Sequence, residues 1–316
     1  MKQVELAYVL CIENNAIRDQ ALLLIDSIRA FAGRYSSAEI LVIAPRPALG
    51  VDNATRTQLE KLGATYHEAP LNTNCPEYGS ANRVYAAAWA AENVAASTLI
   101  VLDSDTIFLD EPDLLGEQFD VAARPVDVKG STTAGPGDEF EAYWQALCAL
   151  AESPIDRLPF IETTFDRTIV RASYNGGYSV VRRETGILQR AADIFTRSVL
   201  ADIRPYKGRN GFRIFASTGF VPDLAAEYWG SNQAAFSIAA WSTTRRFRAL
   251  DIRYNVPLHI LDEPQHWSDE WASIVPIHVH YHWMLDPEHR ARTMKLLSRL
   301  GVPADRLDWI SARRPP

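Results

Sequence analysis

The stretch Thr98-Leu-Ile-Val-Leu-Asp-Ser-Asp-Thr-Ile-Phe-Leu109 decides the reading: an apolar run ends in two carboxylates one residue apart, and apolar residues then resume. Such a run, closed by a polar break, reads as a buried strand whose end carries chemistry. On a strand residues i and i+2 share a face, so Asp103 and Asp105 are expected to project together while Ser104 points away. Two convergent, half-buried carboxylates repel one another and are costly to desolvate. The pair therefore asks for a cation, and hard oxygen ligands suit Mg2+ or Mn2+. The competing reading is an Asp-rich turn that closes a strand and binds nothing.

Upstream, Glu5-Leu-Ala-Tyr-Val-Leu-Cys-Ile12 reads as a first strand, followed by the polar break Glu13-Asn14-Asn15 and a helix over residues 18–31. A strand at 39–44 stops at Pro45 and Pro47, a helix covers 55–62, and 64–67 is a third strand. Alternating β and α segments predict a mostly parallel sheet flanked by helices, with ligands collecting beyond the carboxyl ends of the strands. Asp103 and Asp105 lie at such an end. Before them, Ser80 is placed to cap an alanine-rich, buried helix over 81–93. Arg83 sits in its first turn, where a cation opposes the helix dipole; either a bound phosphate offsets that conflict or Arg83 lies exposed at a frayed end.

Beyond residue 128 the periodicity weakens. Residues 129–166 and 201–228 read as irregular insertions on the acceptor side, the first broken by a helix over 140–151. Tyr174-Asn-Gly-Gly177 reads as a loop before a strand at 178–182, its glycines permitting positive φ or close approach to a ligand. Near the end, Ile277-His-Val-His-Tyr-His-Trp283 alternates three histidines, which a strand places on one face. At least one of them is a candidate metal ligand, and all three together would make a zinc site. A terminal helix covers 286–299.

Composition narrows the classes. A net charge of −7 gives no general attraction to nucleic acid or anionic lipid, though a local patch allows peripheral membrane contact. Three widely spaced cysteines, Cys11, Cys75 and Cys148, make no disulfide framework and point to a reducing, cytoplasmic setting. The N-terminus lacks the basic-then-apolar pattern of a leader, and no window approaches the ~20 apolar residues of a membrane span. Small-molecule partners are favoured.

Taken in order, Asn82-Arg83, Leu102-Asp-Ser-Asp105, Tyr174-Asn-Gly-Gly-Tyr-Ser-Val180, Asn232-Gln233, Arg253-Tyr-Asn255 and His280-Tyr-His-Trp283 resemble the motifs of GT-A fold nucleotide-sugar glycosyltransferases, most closely the retaining family 8 group. The resemblance spans about residues 5–283 and rests on motif order, since each motif alone is weak. It implies a single GT-A domain over 1–316, with a nucleotide-binding half at 1–128 and an acceptor half at 129–316. It further implies transfer of a sugar from a nucleotide-diphosphate sugar, with uridine as the expected base, to an acceptor hydroxyl on a sugar or other small molecule.

By the same resemblance Asp103, Asp105 and His280 hold Mn2+ or Mg2+. Cys11, Ile12, Asn14 and Asn15 hold the base and ribose; Asn82, Arg83, Ser104, Gly176, Gly177 and His282 contact the donor; Asn175, Asn232 and Gln233 lie near the anomeric carbon. Two departures stand out. Asn232 replaces the family's Asp, and the late segment lacks its Gly and Lys, so His282, Arg83, Arg209 or Arg213 would have to supply the missing charge. An inverting enzyme would need a base, for which Asp138, Glu139, Glu162 and Asp166 are placed. Aromatics in the insertions, Tyr143, Trp144, Tyr206, Phe212, Phe215, Tyr228 and Trp229, either stack on an acceptor sugar or pack the lid. Two other classes compete: a zinc hydrolase built on His278, His280 and His282, and a non-catalytic nucleotide-sugar binding module.

Overall fold

The computed structural model describes residues 5–114, 119–209 and 211–313. Residues 1–4, used in the leader reading, and Asn210 of the second insertion lie outside them. The chain opens with β1 (Leu6–Cys11), α1 (Ala16–Phe31), β2 (Glu39–Ala44), α2 (Asn53–Lys61), β3 (Thr65–Glu68), α3 (Ala81–Asn93) and β4 (Thr98–Leu102). After the aspartates come β5 (Thr106–Phe108), β6 (Val121–Pro125), α4 (Glu141–Leu150), the hairpin of β7 (Phe160–Glu162) and β8 (Ile169–Arg171), β9 (Tyr174–Arg182) and α5 (Ile187–Leu200). A second hairpin, β10 (Phe215–Ala216) and β11 (Gly219–Phe220), leads to α6 (Asp223–Glu227), α7 (Ser231–Thr243) and β12 (Phe247–Ala249). The chain ends with β13 (Val256–Pro257), α8 (Leu258–Leu261), α9 (Asp269–Ala272), β14 (His278–His280), α10 (Pro287–Arg299) and α11 (Ala304–Ala312).

Seven strands form one sheet in the order β12-β6-β9-β4-β1-β2-β3, and every pairing is parallel except the two made by β9. Because β1 and β4 are buried along their whole length, both faces of the sheet are covered, which is why their sequences run apolar without alternation. One face packs Ala7 and Val9 against α3, α5 and α7; the other packs Tyr8 and Leu10 against Leu24, Ile25 and Ile28 of α1. Helix ends are fixed locally. Asn15 accepts the Ile17 amide at 2.8 Å and Asp52 the Thr55 amide at 2.8 Å. A small sheet, β13-β14-β5, lies beside the main one and carries its own core of Ile107, Val256, Val279, Leu297 and Ile310. No helix among the described residues is long and apolar enough to cross a membrane.

Four local expectations change. Residues 174–177 are not a loop: β9 begins at Tyr174, and neither glycine there has a positive φ. They are small because a Cβ on Gly176 would strike the Arg83 guanidinium and one on Gly177 the Asn255 amide. Ser80 does not cap α3. It has helical backbone angles, and its carbonyl accepts the Asn232 Nδ2 at 3.0 Å instead. Strand β4 ends at Leu102, so Asp103, Ser104 and Asp105 lie in the turn into β5 and do not alternate as a strand would. The histidine strand stops at His280, and His282 lies beyond it with a left-handed φ of 52°. The second insertion holds the β10/β11 hairpin and α6, and α11 follows the expected terminal helix.

Candidate active site

A cleft of about 460 Å³ opens at the carboxyl ends of β1 and β4, bordered by Cys11 and Leu102 from the strands and by residues of both insertions. Two polar clusters border it. The first is built around Glu13, whose fully buried carboxylate takes two bonds from Arg46, Nε to Oε1 at 2.6 Å and Nη2 to Oε2 at 2.5 Å. Asn82 Nδ2 donates to the same carboxylate at 2.8 Å, and Asn72 Nδ2 donates to the Asn82 Oδ1 at 2.9 Å. A buried carboxylate with a bidentate arginine and an amide is a charge fully met by its own chain.

The second cluster forms because β14 pairs antiparallel with β5. Their register sets His280 opposite Thr106, and the Tyr281 amide donates to the Asp105 carbonyl at 3.1 Å. His280 Nε2 then lies 3.1 Å from Asp105 Oδ1, and the turn after β14 swings His282 Nδ1 to 4.0 Å from Oδ2. Asp105, His280 and His282 are the one group of three potential ligands, among the described residues, whose donor atoms lie within 4.8 Å of one another. Burial pushes the Asp105 carboxyl up, but His280 and His282 outweigh it and hold the group well below the usual carboxylate range. Burial pushes His280 down, and Asp105 more than reverses this, leaving it raised; burial and His280 drive His282 down to about 4. Ser217, in the tip between β10 and β11, borders the same cleft and its hydroxyl helps to hold Asp105 ionised, so the hairpin lies over this cluster.

This donor set fits a divalent cation. The buried His282 Nδ1 has no hydrogen-bond partner among the described residues, and it faces a carboxylate. Imidazole nitrogen beside carboxylate oxygen is first-row metal chemistry. The zinc triad of His278, His280 and His282 is not assembled. His278 is packed edge-on against the rings of Phe108 and Tyr178, 4.9 Å from each, and burial holds it neutral, because the same strand alternation that aims His280 at Asp105 puts His278 deeper under β5.

Asp103 has a different partner: it accepts from Arg83 Nη1, so the anion near the start of α3 is the chain's own carboxylate and Arg83 is not at a frayed end. Ser104 Oγ donates to the Cys11 carbonyl at 2.6 Å, tying the aspartate turn to the end of β1. Asn175 reaches the cleft and donates to Asp127 at 2.5 Å, while buried Arg124 holds the other Asp127 oxygen. Asn232 lines the cleft with its amide engaged by Tyr78, Ser80 and the Gln233 amide, and Gln233 lines it beside Arg83. Cys11, Asn15 and Asn82 border the cleft. Ile12, Asn14, Gly176 and Gly177 do not; Ile12 is in the core and Gly176 is covered by Arg83.

None of Asp138, Glu139, Glu162 and Asp166 borders the cleft, and Arg209 and Arg213 also lie away from it. Asp138 binds Lys129 and the Phe140 amide, Asp166 binds Thr163 and the Lys129 amide, and Glu139 pairs with Arg209. Of the aromatics, Tyr143 and Tyr228 are buried packing; Trp144, Tyr206 and Trp229 border the cleft, Trp144 while almost wholly buried, and Phe212 stacks on Tyr206 at 4.0 Å. Sequence reasoning missed Arg46, Asp127 and His259, and it placed Glu13 only as part of the loop from Cys11 to Asn15; all four border the cleft. Glu13 reads locally as a polar break, and His259 stands nineteen positions before the histidine cluster.

Residues 8–204 match the model of the Rhodobacterales glycosyltransferase domain. The chain belongs to that family. It is a glycosyltransferase with a GT-A-like fold: the WbbM bifunctional glycosyltransferase apo structure superposes with a TM-score of 0.55 at 14% identity, over 99% of this chain and 52% of that one. This glycosyltransferase thus spans about half the length of WbbM. The galactosyltransferase LgtC in complex with donor and acceptor sugar analogues gives a TM-score of 0.49 at 13% identity, over 95% of this chain and 98% of that one. Mouse xyloside xylosyltransferase 1, apo form, gives 0.44 at 11% identity, over 87% and 96%. No curated protein sequence matches the chain.

Proposed function

We propose that this glycosyltransferase takes its sugar from a nucleotide-diphosphate sugar, with uridine as the base, in a reaction that needs Mn2+ or Mg2+ and retains the anomeric configuration. The observation that carries this reading is the cluster of Asp105, His280 and His282 at the carboxyl end of a parallel strand, in a cleft that a pre-bonded polar network also borders. In an open α/β sheet this is where nucleotides bind. A divalent cation bound there would supply Lewis-acid charge to the departing diphosphate.

The remaining work falls to this chain's side chains. Asp105 and His280, with Asp103 or His282, hold the cation's place. Asn15, Asn82 and the Glu13-Arg46 pair offer fixed donors and acceptors to base and ribose. Arg83 and Lys129 border the cleft and place positive charge where the donor's phosphates would lie. Asn175 and Asp127, locked together and to Arg124, present a carboxylate and an amide to the donor sugar, and Gln233 lies beside Arg83. Retention fits a cleft that Asp138, Glu139, Glu162 and Asp166 do not border and in which a carboxylate that does, Asp127, is held by Arg124 and Asn175: the acceptor attacks on the face that the diphosphate leaves, and a phosphate oxygen takes its proton.

The single-domain division at residue 128 belongs to the same proposal, supported by a central sheet that draws β1 to β4 and β6 from one half and β9 and β12 from the other. So does a cytoplasmic setting, supported by three free, buried cysteines. The test is a thermal-shift panel of nucleoside diphosphates with and without Mn2+. A ligand at a hundred times its Kd adds about 2.7 kcal/mol. UDP with Mn2+ should raise the melting temperature most, and UDP alone much less; no response to any nucleoside diphosphate in the presence of Mn2+ would overturn the reading.

A further inference from the structure

His259 and His282 are not needed by the two-aspartate, one-histidine metal site that the sequence suggested. Yet His259, at the start of α8 and directly after the strand that pairs with β14, packs its ring 3.8 Å from that of His282, and His282 packs 4.4 Å from His280. Three imidazoles thus stand in a row ending on Asp105. The His259 and His282 Nδ1 atoms are buried without a hydrogen-bond partner among the described residues, and a polar atom in that condition costs about 1–3 kcal/mol unless something binds it. Asp103, by contrast, has its carboxylate engaged by Arg83.

The distances suit a coordination shell. Donors bound at about 2.1 Å in an octahedral shell stand about 3 Å apart when adjacent and about 4 Å apart when opposite. His280 Nε2 and Asp105 Oδ1 are 3.1 Å apart, and His282 Nδ1 and Asp105 Oδ2 are 4.0 Å apart. His282 reaches this position only through its left-handed backbone at φ 52°, a conformation that disfavours a non-glycine residue and that the surrounding contacts must hold in place.

We propose that His282 is a metal ligand with Asp105 and His280, that His259 is the positioning residue holding its ring, and that this nitrogen-rich set selects Mn2+ or Co2+ over Mg2+. This deepens the proposed function and rests on its placing a divalent cation here. Mg2+ takes oxygen ligands and keeps its waters, so two imidazoles in a shell of three protein donors disfavour it, whereas first-row transition ions gain from each nitrogen in the order Mn2+ below Co2+.

The test is calorimetric titration of the full chain with MgCl2, MnCl2 or CoCl2 alone, without nucleotide. Mn2+ should bind at least about tenfold more tightly than Mg2+, and Co2+ more tightly still. His282→Ala should weaken Mn2+ and Co2+ by about ten- to a hundredfold and Mg2+ by less than about threefold, so that selectivity collapses; His259→Phe, which keeps a ring against His282, should weaken Mn2+ by about three- to tenfold. Pulsed electron paramagnetic resonance of the Mn2+-loaded wild type counts coordinated imidazoles without any substitution, and keeps the test decisive where a variant fails to fold. Two coupled nitrogens are expected. One coupled nitrogen, equal Mg2+ and Mn2+ affinities, or an unchanged Mn2+ affinity in a folded His282→Ala variant would each overturn the inference. Mn2+ selectivity without any response to UDP would sink the nucleotide-sugar reading alone, and a UDP response that Mg2+ supports as well as Mn2+ would sink this one alone.

Discussion

The two walls of the cleft handle buried polarity in opposite ways. On the β1 wall the Glu13 carboxylate is fully buried and saturated by Arg46 and Asn82. On the β14 wall His259 and His282 carry buried nitrogens that nothing among the described residues satisfies, next to a carboxylate held ionised by its neighbours. A saturated network is finished when the chain folds, and its role is to hold a fixed surface. An unsaturated cluster is finished only when a ligand arrives. On the function proposed above, the contrast would separate a preorganised wall for base and ribose from a wall completed by a cation and a diphosphate.

The largest break in this contrast is Asp105→Asn. It removes the only carboxylate of the second cluster while keeping its shape, so transfer should fall by about a thousandfold or more with little loss of stability. Turnover measured beside a thermal melt checks both halves of that statement. Glu13→Ala should strike stability first, and donor binding with it. Removing one partner of a buried ion pair strands Arg46, and a loss of about 3–5 kcal/mol is expected in chemical denaturation. Activity should track the folded fraction more closely than in Asp105→Asn. A Glu13→Ala variant that melts like the wild type would show the first wall to be less finished than its bonds imply.

Gly176→Ala probes the seam between the walls. Its Cβ would lie 1.8 Å from Arg83 Nη2, the mobile end of a long side chain, so the guanidinium must move off and release Asp103. Stability should change by less than about 1 kcal/mol. Donor KM and kcat should both worsen, by about ten- to a hundredfold in kcat/KM, since Arg83 no longer sits where a phosphate would. The smallest effect belongs to the rim. Phe220, 72% exposed on the hairpin that roofs the cation cluster, should on replacement by Ala raise the acceptor KM by about three- to tenfold while leaving donor KM and stability unchanged.

How much of this was legible follows from the same physics. Strands β1, β2 and β4 announce themselves because both faces are buried and their residues run apolar to a polar stop. Strand β9 was hidden, since Asn175-Gly176-Gly177 has turn chemistry; the glycines answer to two side chains, Arg83 and Asn255, that arrive from elsewhere in the chain. The small sheet of β5, β13 and β14 could not be read from two- and three-residue strands, although it sets the register that brings His280 to Asp105. The aspartates and the late histidines stood out as residue types. Their pairing did not, because alternation rules stop where β4 and β14 stop, and His282 turns back through a left-handed residue. Partners such as Glu13 with Arg46, or His259 with His282, are separated by 33 and 23 positions, and only the fold brings them together.

The most direct measurement is anomalous diffraction at the manganese edge from a crystal of this protein soaked with MnCl2 and UDP. A single Mn2+ peak is expected within about 2.3 Å of Asp105 Oδ, His280 Nε2 and His282 Nδ1, with the diphosphate against it and the uridine over the Glu13-Arg46 wall. Ordered UDP with no cation on those three residues, or Mn2+ bound elsewhere while the histidine row stays empty, contradicts it.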